Sequence, residues 1–190
     1  MNDIASFGRD YPVQYTPAVL AVTKQMSQVD DATRSLQAGR RPDADELKQY
    51  IQILNNVEKD LGKGITYMDQ LENYGEEHLG KCFRGVYMLD TIPALSAGEC
   101  CIANTDPSSL TGKHWVAIKR GDNGEICVYD SFGRKPARLM PGALRRTGGS
   151  HYGHVDDDAE QAIRETNCGQ RCLAWLIFAQ KYGLDSAKLI

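Results

Sequence analysis

The fold of this chain is decided by the segment Trp115-Val-Ala-Ile-Lys-Arg-Gly-Asp-Asn-Gly-Glu-Ile-Cys-Val-Tyr-Asp130. Two stretches rich in β-branched and aromatic residues flank Gly121-Asp-Asn-Gly124, and Asn-Gly tolerates the positive φ angles that tight turns require. The segment therefore predicts an antiparallel hairpin with strands over 115–119 and 125–130. Because the turn lies midway between them, antiparallel pairing is expected to bring His114 and Asp130 to the same end of the ladder.

The residues around this hairpin predict an α+β body. Their β-branched and aromatic content indicates further strands over 86–89 and 99–103, and the pattern over 67–79 indicates a short helix. A polar segment then changes into the apolar run Leu173-Ala-Trp-Leu-Ile-Phe-Ala179. This change predicts a buried helix whose first turn holds Cys168.

The residues before 65 have a helical pattern and predict an N-terminal extension. Apolar residues spaced three and four apart indicate a first helix from Thr16-Pro17 to Gly39. A second helix, closed by Gly62 and Gly64, has one apolar face: Leu47, Ile51, Leu54, Val57 and Leu61. The short connection predicts an antiparallel helical hairpin. We therefore divide the chain into a helical extension, 1–64, and a second domain, 65–190.

The composition is typical of a soluble globular chain, with 42% hydrophobic and 25% charged residues among 190. No apolar run approaches the ~18 residues of a membrane span, and the amino terminus lacks the pattern of a signal peptide. We therefore expect a reducing compartment, with the six cysteines as core or catalytic thiols. The net charge of −3 gives no global reason to expect nucleic-acid binding. A basic cluster over 134–146 is interpreted as solvated surface.

Cys168 is the candidate nucleophile of the chain. Unpaired backbone N–H groups and the helix dipole lower the pKa of a thiol at a helix start. His114 would take the thiol proton, and Asp130 would orient the imidazole. Each residue alone has an ordinary structural explanation, but the three together predict a catalytic triad. An oxyanion donor is also needed; Gln161, Asn167 and Gln170 all satisfy the chemistry, which does not choose among them.

These residues occur in the order of a known family. The series resembles the adenovirus-type maturation proteases, which belong to the clan of the SUMO-deconjugating proteases: His114-Trp115, Val128-Tyr-Asp-Ser-Phe-Gly133, Gln161 and Cys168-Gly169. The likeness extends to Phe83-Arg-Gly-Val-Tyr87, Cys101-Ile-Ala-Asn-Thr105 and Cys172. The Arg-Gly-Val and Tyr-Asp-Ser-Phe-Gly motifs are most similar to those of the enzymes of virophages and Polinton-like elements. It covers residues ~65 to 183 and leaves out the N-terminal hairpin.

The resemblance implies a fold, a reaction and a set of roles. The fold would be adenain-like, a central mixed sheet packed on a buried catalytic helix. The chain would be a viral maturation endopeptidase that cuts capsid or scaffold precursors after small, Gly-rich residues, in the virion or in the host cytoplasm (virus factory) or nucleus. Cys168 would be the nucleophile, His114 the base, Asp130 the orienting acid and Gln161 the oxyanion donor. Trp115 and Gly169 would contact substrate.

Departures from the adenovirus pattern limit what the resemblance implies. The chain has no cysteine from Val128 through Asn167, so the disulfide-tethered activating peptide has no anchor. The acidic balance argues against DNA as a cofactor, and we expect no other cofactor, metal or membrane; the oligomeric state is left open. The apolar stripe of the helical hairpin would pack on the catalytic body, on a second copy or on a capsid surface.

Two other classes of function compete with this reading. The first is a deconjugating protease of ubiquitin-like proteins such as SUMO, or an acetyltransferase of the same clan. The second is a non-catalytic structural protein, with zinc held by Cys100, Cys101, Cys168 and Cys172. Adjacent cysteines do not match the usual spacer of two to four residues between zinc ligands.

Overall fold

The computed structural model describes residues 42–153, 155 and 158–190. The predicted first helix, from residue 16 to residue 39, lies outside the described residues. Arg41–Ile190 form one compact unit. Among the described residues, no helix is both long enough and apolar enough to cross a bilayer.

The described residues have an α+β architecture, which confirms the fold class at that level. A five-stranded mixed sheet has the spatial order β1-β2-β3-β4-β5, and its strands are β1 (Phe83–Tyr87), β2 (Cys100–Asn104), β3 (Trp115–Arg120), β4 (Glu125–Tyr129) and β5 (His151–Tyr152). The two outer pairs are parallel and the two inner pairs antiparallel. The helices are α1 (Ala44–Leu61), α2 (Met68–Leu79), α3 (Pro136–Leu139), α4 (Ala143–Thr147), α5 (Cys168–Tyr182) and α6 (Leu184–Ala187), with a 3₁₀ turn at Gly80–Cys82.

Both faces of the sheet are covered, so the central strands are buried on both sides. Alternate residues of a strand point to opposite faces. Accordingly, Cys100 and Ile102 join the apolar cluster that contains α5, whereas Cys101 and Ala103 join the cluster on the other face. Helix α5 is buried along most of its length, as the apolar run predicted.

The predicted hairpin is present, but its turn is closed differently from the expectation. Gly124 donates its backbone N–H to the Gly121 carbonyl (3.1 Å), and Gly124 alone in this turn has a positive φ, +83°. Asn123 instead accepts the Glu125 N–H on its side-chain Oδ1 (3.0 Å). The asparagine therefore stabilises the turn through its side chain, and only the glycine supplies the left-handed backbone.

The first strand begins three residues earlier than predicted and ends two residues earlier. The sequence pattern placed it over 86–89, because of the β-branched and aromatic content there. In the structure, Gly85 adopts φ +109° at an irregularity in the pairing of β1 with β2. The strand ends at Tyr87 because the Met88 N–H turns away to donate to Thr91 Oγ1 (3.1 Å).

Helix α1 is present, and its predicted apolar face is confirmed in part. Val57 is buried, and Leu54 and Leu61 pack against the core. Leu47 and Ile51 are 43% and 47% exposed, whereas Tyr50 is buried. Tyr50 was not counted as apolar in the pattern, yet its ring packs edge-on against Phe178 of α5, with 6.0 Å between centroids. In the first half of the helix, the aromatic ring therefore contributes the buried surface that the pattern had assigned to Leu47 and Ile51.

Helix α1 packs against the buried helix α5, in an antiparallel direction. Near the start of α1, Glu46 accepts from Ser186 Oγ (2.7 Å) and Gln49 accepts from Tyr182 Oη (3.0 Å). At the other end of α1, Glu58 accepts from Asn167 Nδ2 (2.7 Å), immediately before α5 begins. The buried side chains of this helix are thus covered by the body of the same chain.

Candidate active site

The hairpin brings His114 and Asp130 together, as its predicted register required. His114 precedes β3 and Asp130 follows β4, and the ladder pairs Ala117 with Tyr129. His114 Nε2 lies 2.6 Å from Asp130 Oδ1, and both side chains are buried. A buried ion pair at hydrogen-bonding distance is well placed to fix the orientation of the imidazole ring.

Asp130 is held by four N–H groups in addition to the histidine. Its Oδ1 accepts from the Phe132 backbone (3.2 Å) and from Arg134 Nη2 (3.3 Å). Its Oδ2 accepts from the Arg134 backbone (3.2 Å) and Nε (2.7 Å). Burial opposes the charged carboxylate, but the bonds from His114 and Arg134 outweigh it and lower the pKa of Asp130 to about 2. The carboxylate is therefore ionised at neutral pH.

Arg134 is a site residue that the sequence interpretation missed. It was assigned to a solvated basic cluster, and 46% of its side chain is indeed exposed. Its guanidinium nevertheless reaches the buried carboxylate, because Gly133 N–H bonds to the Asp130 carbonyl (2.7 Å) and closes a turn. The available signal was the spacing of Asp130 and Arg134 across a glycine turn.

Cys168 lies at the first residue of α5 and is buried. Burial raises the pKa of its thiol, but a hydrogen bond with His114 and the backbone amides of Trp115 and Gly169 more than compensate. The pKa of Cys168 is therefore below its ordinary value. Burial conversely lowers the pKa of His114, and the bonds with Asp130 and Cys168 reverse the direction, so that it is raised. These opposite shifts favour a thiolate beside an imidazolium.

The two nitrogens of His114 have separate partners. Nε2 faces the ionised carboxylate of Asp130, which can only accept a hydrogen bond, so this nitrogen carries a proton. Nδ1 is therefore the nitrogen left for the Cys168 thiol, whose pKa the nearby ring lowers. The ring packs beside Phe132, with 5.0 Å between centroids. This arrangement lets Nδ1 exchange a proton with the sulfur.

A cleft of about 540 Å³ opens onto Cys168 and His114. Its wall combines polar and apolar side chains, including Trp115, Gln161, Phe132, Met88, Ile65, Tyr67, Met68 and Ile163. Several of the apolar members are largely exposed, Ile163 most of all. The half-buried Trp115 is fixed by donating its indole N–H to the Thr66 carbonyl (3.2 Å). The volume is typical of a ligand-binding cleft.

Of the three possible oxyanion donors, Gln161 lines this cleft. Its Oε1 accepts from Ser131 Oγ (2.6 Å), and its Nε2 donates to the Glu165 carbonyl (2.6 Å). A side-chain amide has two N–H donors, so one remains after the bond to Glu165. Gln161 thus has a fixed orientation and a spare donor.

The other two amides are engaged in contacts with the segment before residue 65. Gln170 donates to the carbonyls of Gly62 (2.8 Å) and Gly64 (2.7 Å), which accounts for both of its N–H groups. Asn167 donates to Glu58 and accepts from Arg171 Nε (3.1 Å). Neither is among the residues that line the cleft. The structure therefore favours Gln161 as the oxyanion donor among three amides that their chemistry alone did not distinguish.

Gly169, expected to contact substrate, instead packs inside the protein. It does not line the cleft, and a Cβ added there would lie 2.1 Å from Thr66 Oγ1 and 2.9 Å from Leu71. These distances are shorter than van der Waals contact, so the position accepts only glycine without rearrangement. The glycine lets the first turn of α5 approach the segment that follows α1.

The remaining cysteines do not converge on a metal site. Cys100 and Cys101 belong to clusters on opposite faces of the sheet, so they cannot join Cys168 and Cys172 around one zinc ion. Within the described ranges, no group of three or more His, Cys, Asp or Glu side chains could hold a metal. Cys82 is half-buried, with its Sγ 3.9 Å from that of Cys100. This contact lowers the pKa of the Cys82 thiol below its ordinary value.

Comparison with known proteins does not identify a family for this chain. No protein-family model matches the chain, and no curated protein matches it significantly. The residues that carry the argument are therefore those whose contacts are described above: Cys168, His114, Asp130, Arg134 and Gln161.

Proposed function

We propose that this chain is a cysteine endopeptidase with an adenain-like fold, and that it processes capsid or scaffold precursors during viral maturation. The observation that carries the proposal is the position of His114, which bonds to the buried Asp130 carboxylate and lines the same cleft as the Cys168 thiol, whose pKa it lowers. The mixed sheet and the buried helix that begins at the thiol support the proposed fold. The viral assignment, the preference for small residues before the cut, and the location in the virion or in the host cytoplasm or nucleus rest on the sequence resemblance.

The proposed reaction begins with the Cys168 thiolate, which attacks the carbonyl carbon of the scissile peptide. The spare N–H of Gln161 and the Cys168 backbone N–H stabilise the oxyanion; a donor of this kind contributes about 3–4 kcal/mol. His114 then transfers its Nδ1 proton to the leaving amine, which departs and leaves a thioester. A water molecule, deprotonated by His114, hydrolyses the thioester and restores the thiolate.

The cleft supports a peptide as the substrate. Aromatic and aliphatic side chains beside the thiol, among them Trp115 and Phe132, offer apolar contacts to an extended chain, and their polar neighbours offer hydrogen bonds. We propose that the segment on the amino side of the cut carries small residues where it passes the thiol.

The proposal is tested by incubating the full chain with the major capsid protein encoded beside it and identifying the products by mass spectrometry. Wild type is expected to produce discrete fragments, and Cys168→Ala none. Cys82→Ala is the matched control, because it removes a half-buried free thiol outside the cleft and should cut normally. Cleavage by Cys168→Ala would refute the assignment of the nucleophile. Rapid labelling of Cys168 by a ubiquitin-like vinyl sulfone, without capsid cleavage, would assign the chain to the deconjugating proteases instead.

A further inference from the structure

We infer that helix α1 is part of the catalytic apparatus, with Glu58 and Tyr50 as positioning residues for the nucleophile and for the oxyanion donor. The consequences for turnover rest on the proposed function. The contacts themselves, and the reactivity of the thiol, do not depend on it. The sequence pattern had assigned this helix to an extension outside the catalytic domain.

The contact at Glu58 concerns Asn167, the residue that precedes α5. Asparagine is a favoured N-cap, because its side chain can accept a bond from the N–H of the second or third helical residue. Asn167 makes no such bond. Its amide instead donates to Glu58 Oε1 (2.7 Å), and its Oδ1 accepts from Arg171 Nε. Glu58 is well placed to hold this amide, since its own side chain is only 10% exposed.

Because the Asn167 side chain is held away from the start of α5, the backbone N–H groups of this first turn remain free to stabilise the Cys168 thiolate. The Gly169 N–H is one of the groups that lower the pKa of Cys168. An Asn167 side chain in the capping position would compete for amides of the same turn. Glu58, which accepts from the Asn167 amide nitrogen, therefore acts together with Arg171, which donates to its Oδ1, to keep a competing acceptor away from the thiolate.

The segment after α1 fixes the same turn from a second direction. Gln170 is fully buried, and its two N–H groups donate to the carbonyls of Gly62 and Gly64, on the chain that leaves α1. Its Oε1 accepts from Thr66 Oγ1 (3.4 Å). The residue two positions after Cys168 is thus tied to the end of α1.

Tyr50 connects α1 with the loop that carries the proposed oxyanion donor. Its hydroxyl lies 3.0 Å from that of Tyr129 and 3.4 Å from Glu160 Oε2. Tyr129 also bonds to Glu160. Glu160 and Gln161 both donate their backbone N–H groups to the Ser131 carbonyl (3.0 Å each). The hydroxyl of Tyr50 therefore restrains the residue next to Gln161.

The titratable groups around Cys168 come from several elements, so the test must separate their effects. His114 and Asp130 face it from the hairpin, and Cys172 lies one turn further along α5. Glu58 and Lys63 lie near Asn167, on the segment that includes α1. A carboxylate near the helix start would itself oppose a thiolate, so removing only the charge of Glu58 should not weaken the nucleophile.

The test is the pH dependence of Cys168 alkylation by iodoacetamide in the full chain, followed by mass spectrometry of the Cys168 peptide. Glu58→Ala is expected to raise the midpoint by about half a unit to one unit, which corresponds to the loss of helix-terminal stabilisation of an anion. Glu58→Gln retains the acceptor and should behave as wild type. The double variant Glu58→Ala with Asn167→Ala should return the midpoint toward wild type, because the competing side chain is gone.

Each outcome decides the inference. An unchanged midpoint in folded Glu58→Ala, a Glu58→Gln variant as impaired as Glu58→Ala, or a double variant that recovers nothing would overturn it. If Glu58→Ala does not fold, Asn167→Ala alone carries the test: its midpoint should match wild type, and a rise would overturn the argument.

For Tyr50→Phe, we expect an unchanged alkylation midpoint and a several-fold fall in kcat with KM unchanged; an unchanged kcat would remove Tyr50 from the apparatus. Since alkylation needs no substrate, a failed cleavage assay would not be confused with a failure of this inference.

Discussion

Replacing Asp130 by asparagine removes one negative charge beside His114 and leaves the size of the side chain unchanged. The hydrogen bonds decide how the new amide would lie. Oδ1 accepts from three donors, on His114, Phe132 and Arg134, whereas Oδ2 accepts from two donors, both on Arg134. An NH₂ group that faces N–H donors loses hydrogen bonds, so it destabilises the site less at the position of Oδ2, which has fewer donors. The Arg134 guanidinium can also move into solvent there. We therefore expect the amide oxygen to remain on the histidine side and to keep the imidazole oriented.

The expected loss is then electrostatic and moderate. The fall in the pKa of Asp130 from 3.8 to about 2 corresponds to roughly 2 kcal/mol net of burial. His114 and Arg134 share this stabilisation, so the part that belongs to the imidazolium is on the order of 1 kcal/mol. Asp130→Asn should accordingly lower kcat/KM about fivefold, whereas Asp130→Ala, which also loses the orientation of the ring, should lose about a hundredfold or more.

The assay is kcat/KM on a peptide that spans the mapped cut site, measured from pH 5 to 9. In Asp130→Asn the pKa of His114 should fall, so the basic limb of the profile, where the imidazolium loses its proton, should move to lower pH. The Cys168 alkylation midpoint should rise, because the imidazolium that stabilises the thiolate is itself less stable. Equal losses in the asparagine and alanine variants would refute the donor-counting argument, and wild-type activity in Asp130→Asn would refute the role of the charge.

Three further outcomes are expected. Gln161→Ala should lower kcat about 10²-fold or more with little change in KM, whereas Gln161→Glu, which keeps the bond from Ser131 but lacks the donor, should not restore it. Gly169→Ala should reduce the free energy of unfolding by about 1–3 kcal/mol, because its Cβ would overlap Thr66; denaturant unfolding measures the loss. Asp130, whose folded pKa of about 2 lies below its ordinary 3.8, stabilises the fold fully above pH 4, and this contribution should be lost as the pH falls from 4 to 2.

Each of these outcomes has a result that would contradict it. Gln161→Ala with full kcat would mean that another group holds the oxyanion. An unchanged free energy of unfolding in Gly169→Ala would mean that the Thr66 side chain moves aside without destabilising the fold. For the pH effect, the free energy of unfolding should fall less steeply between pH 4 and 2 in Asp130→Asn than in wild type; parallel curves would show that Asp130 does not contribute.

The hairpin and its paired side chains could be predicted because their determinants are local. Gly121 and Gly124 set the turn, and antiparallel pairing then places His114 and Asp130 at the same end of the ladder with no help from the rest of the chain. The buried helix was equally readable, since an apolar run as long as 173–179 has to be covered on every side.

What the sequence did not predict depends on partners far along the chain. Asn167, Gln170 and Gln161 have the same amide chemistry, and only their contacts distinguish them. Glu58 lies 109 residues before Asn167, and no local pattern connects the two. Arg134 was missed for a different reason. In the sequence, a half-exposed arginine looks like any other surface residue, even when its guanidinium reaches a buried carboxylate.

The bonds from Gln170 to Gly62 and Gly64 also determine where this protein can be shortened. A fragment that starts at residue 65 would leave two buried amide N–H groups without acceptors, and each such group costs about 1–3 kcal/mol. It would also expose the face of α5 that Tyr50 and Val57 cover. Such a fragment is expected to aggregate or to remain unfolded, although every residue of the proposed triad would be present. The smallest unit worth expressing therefore begins before the Asp43 cap of the first described helix.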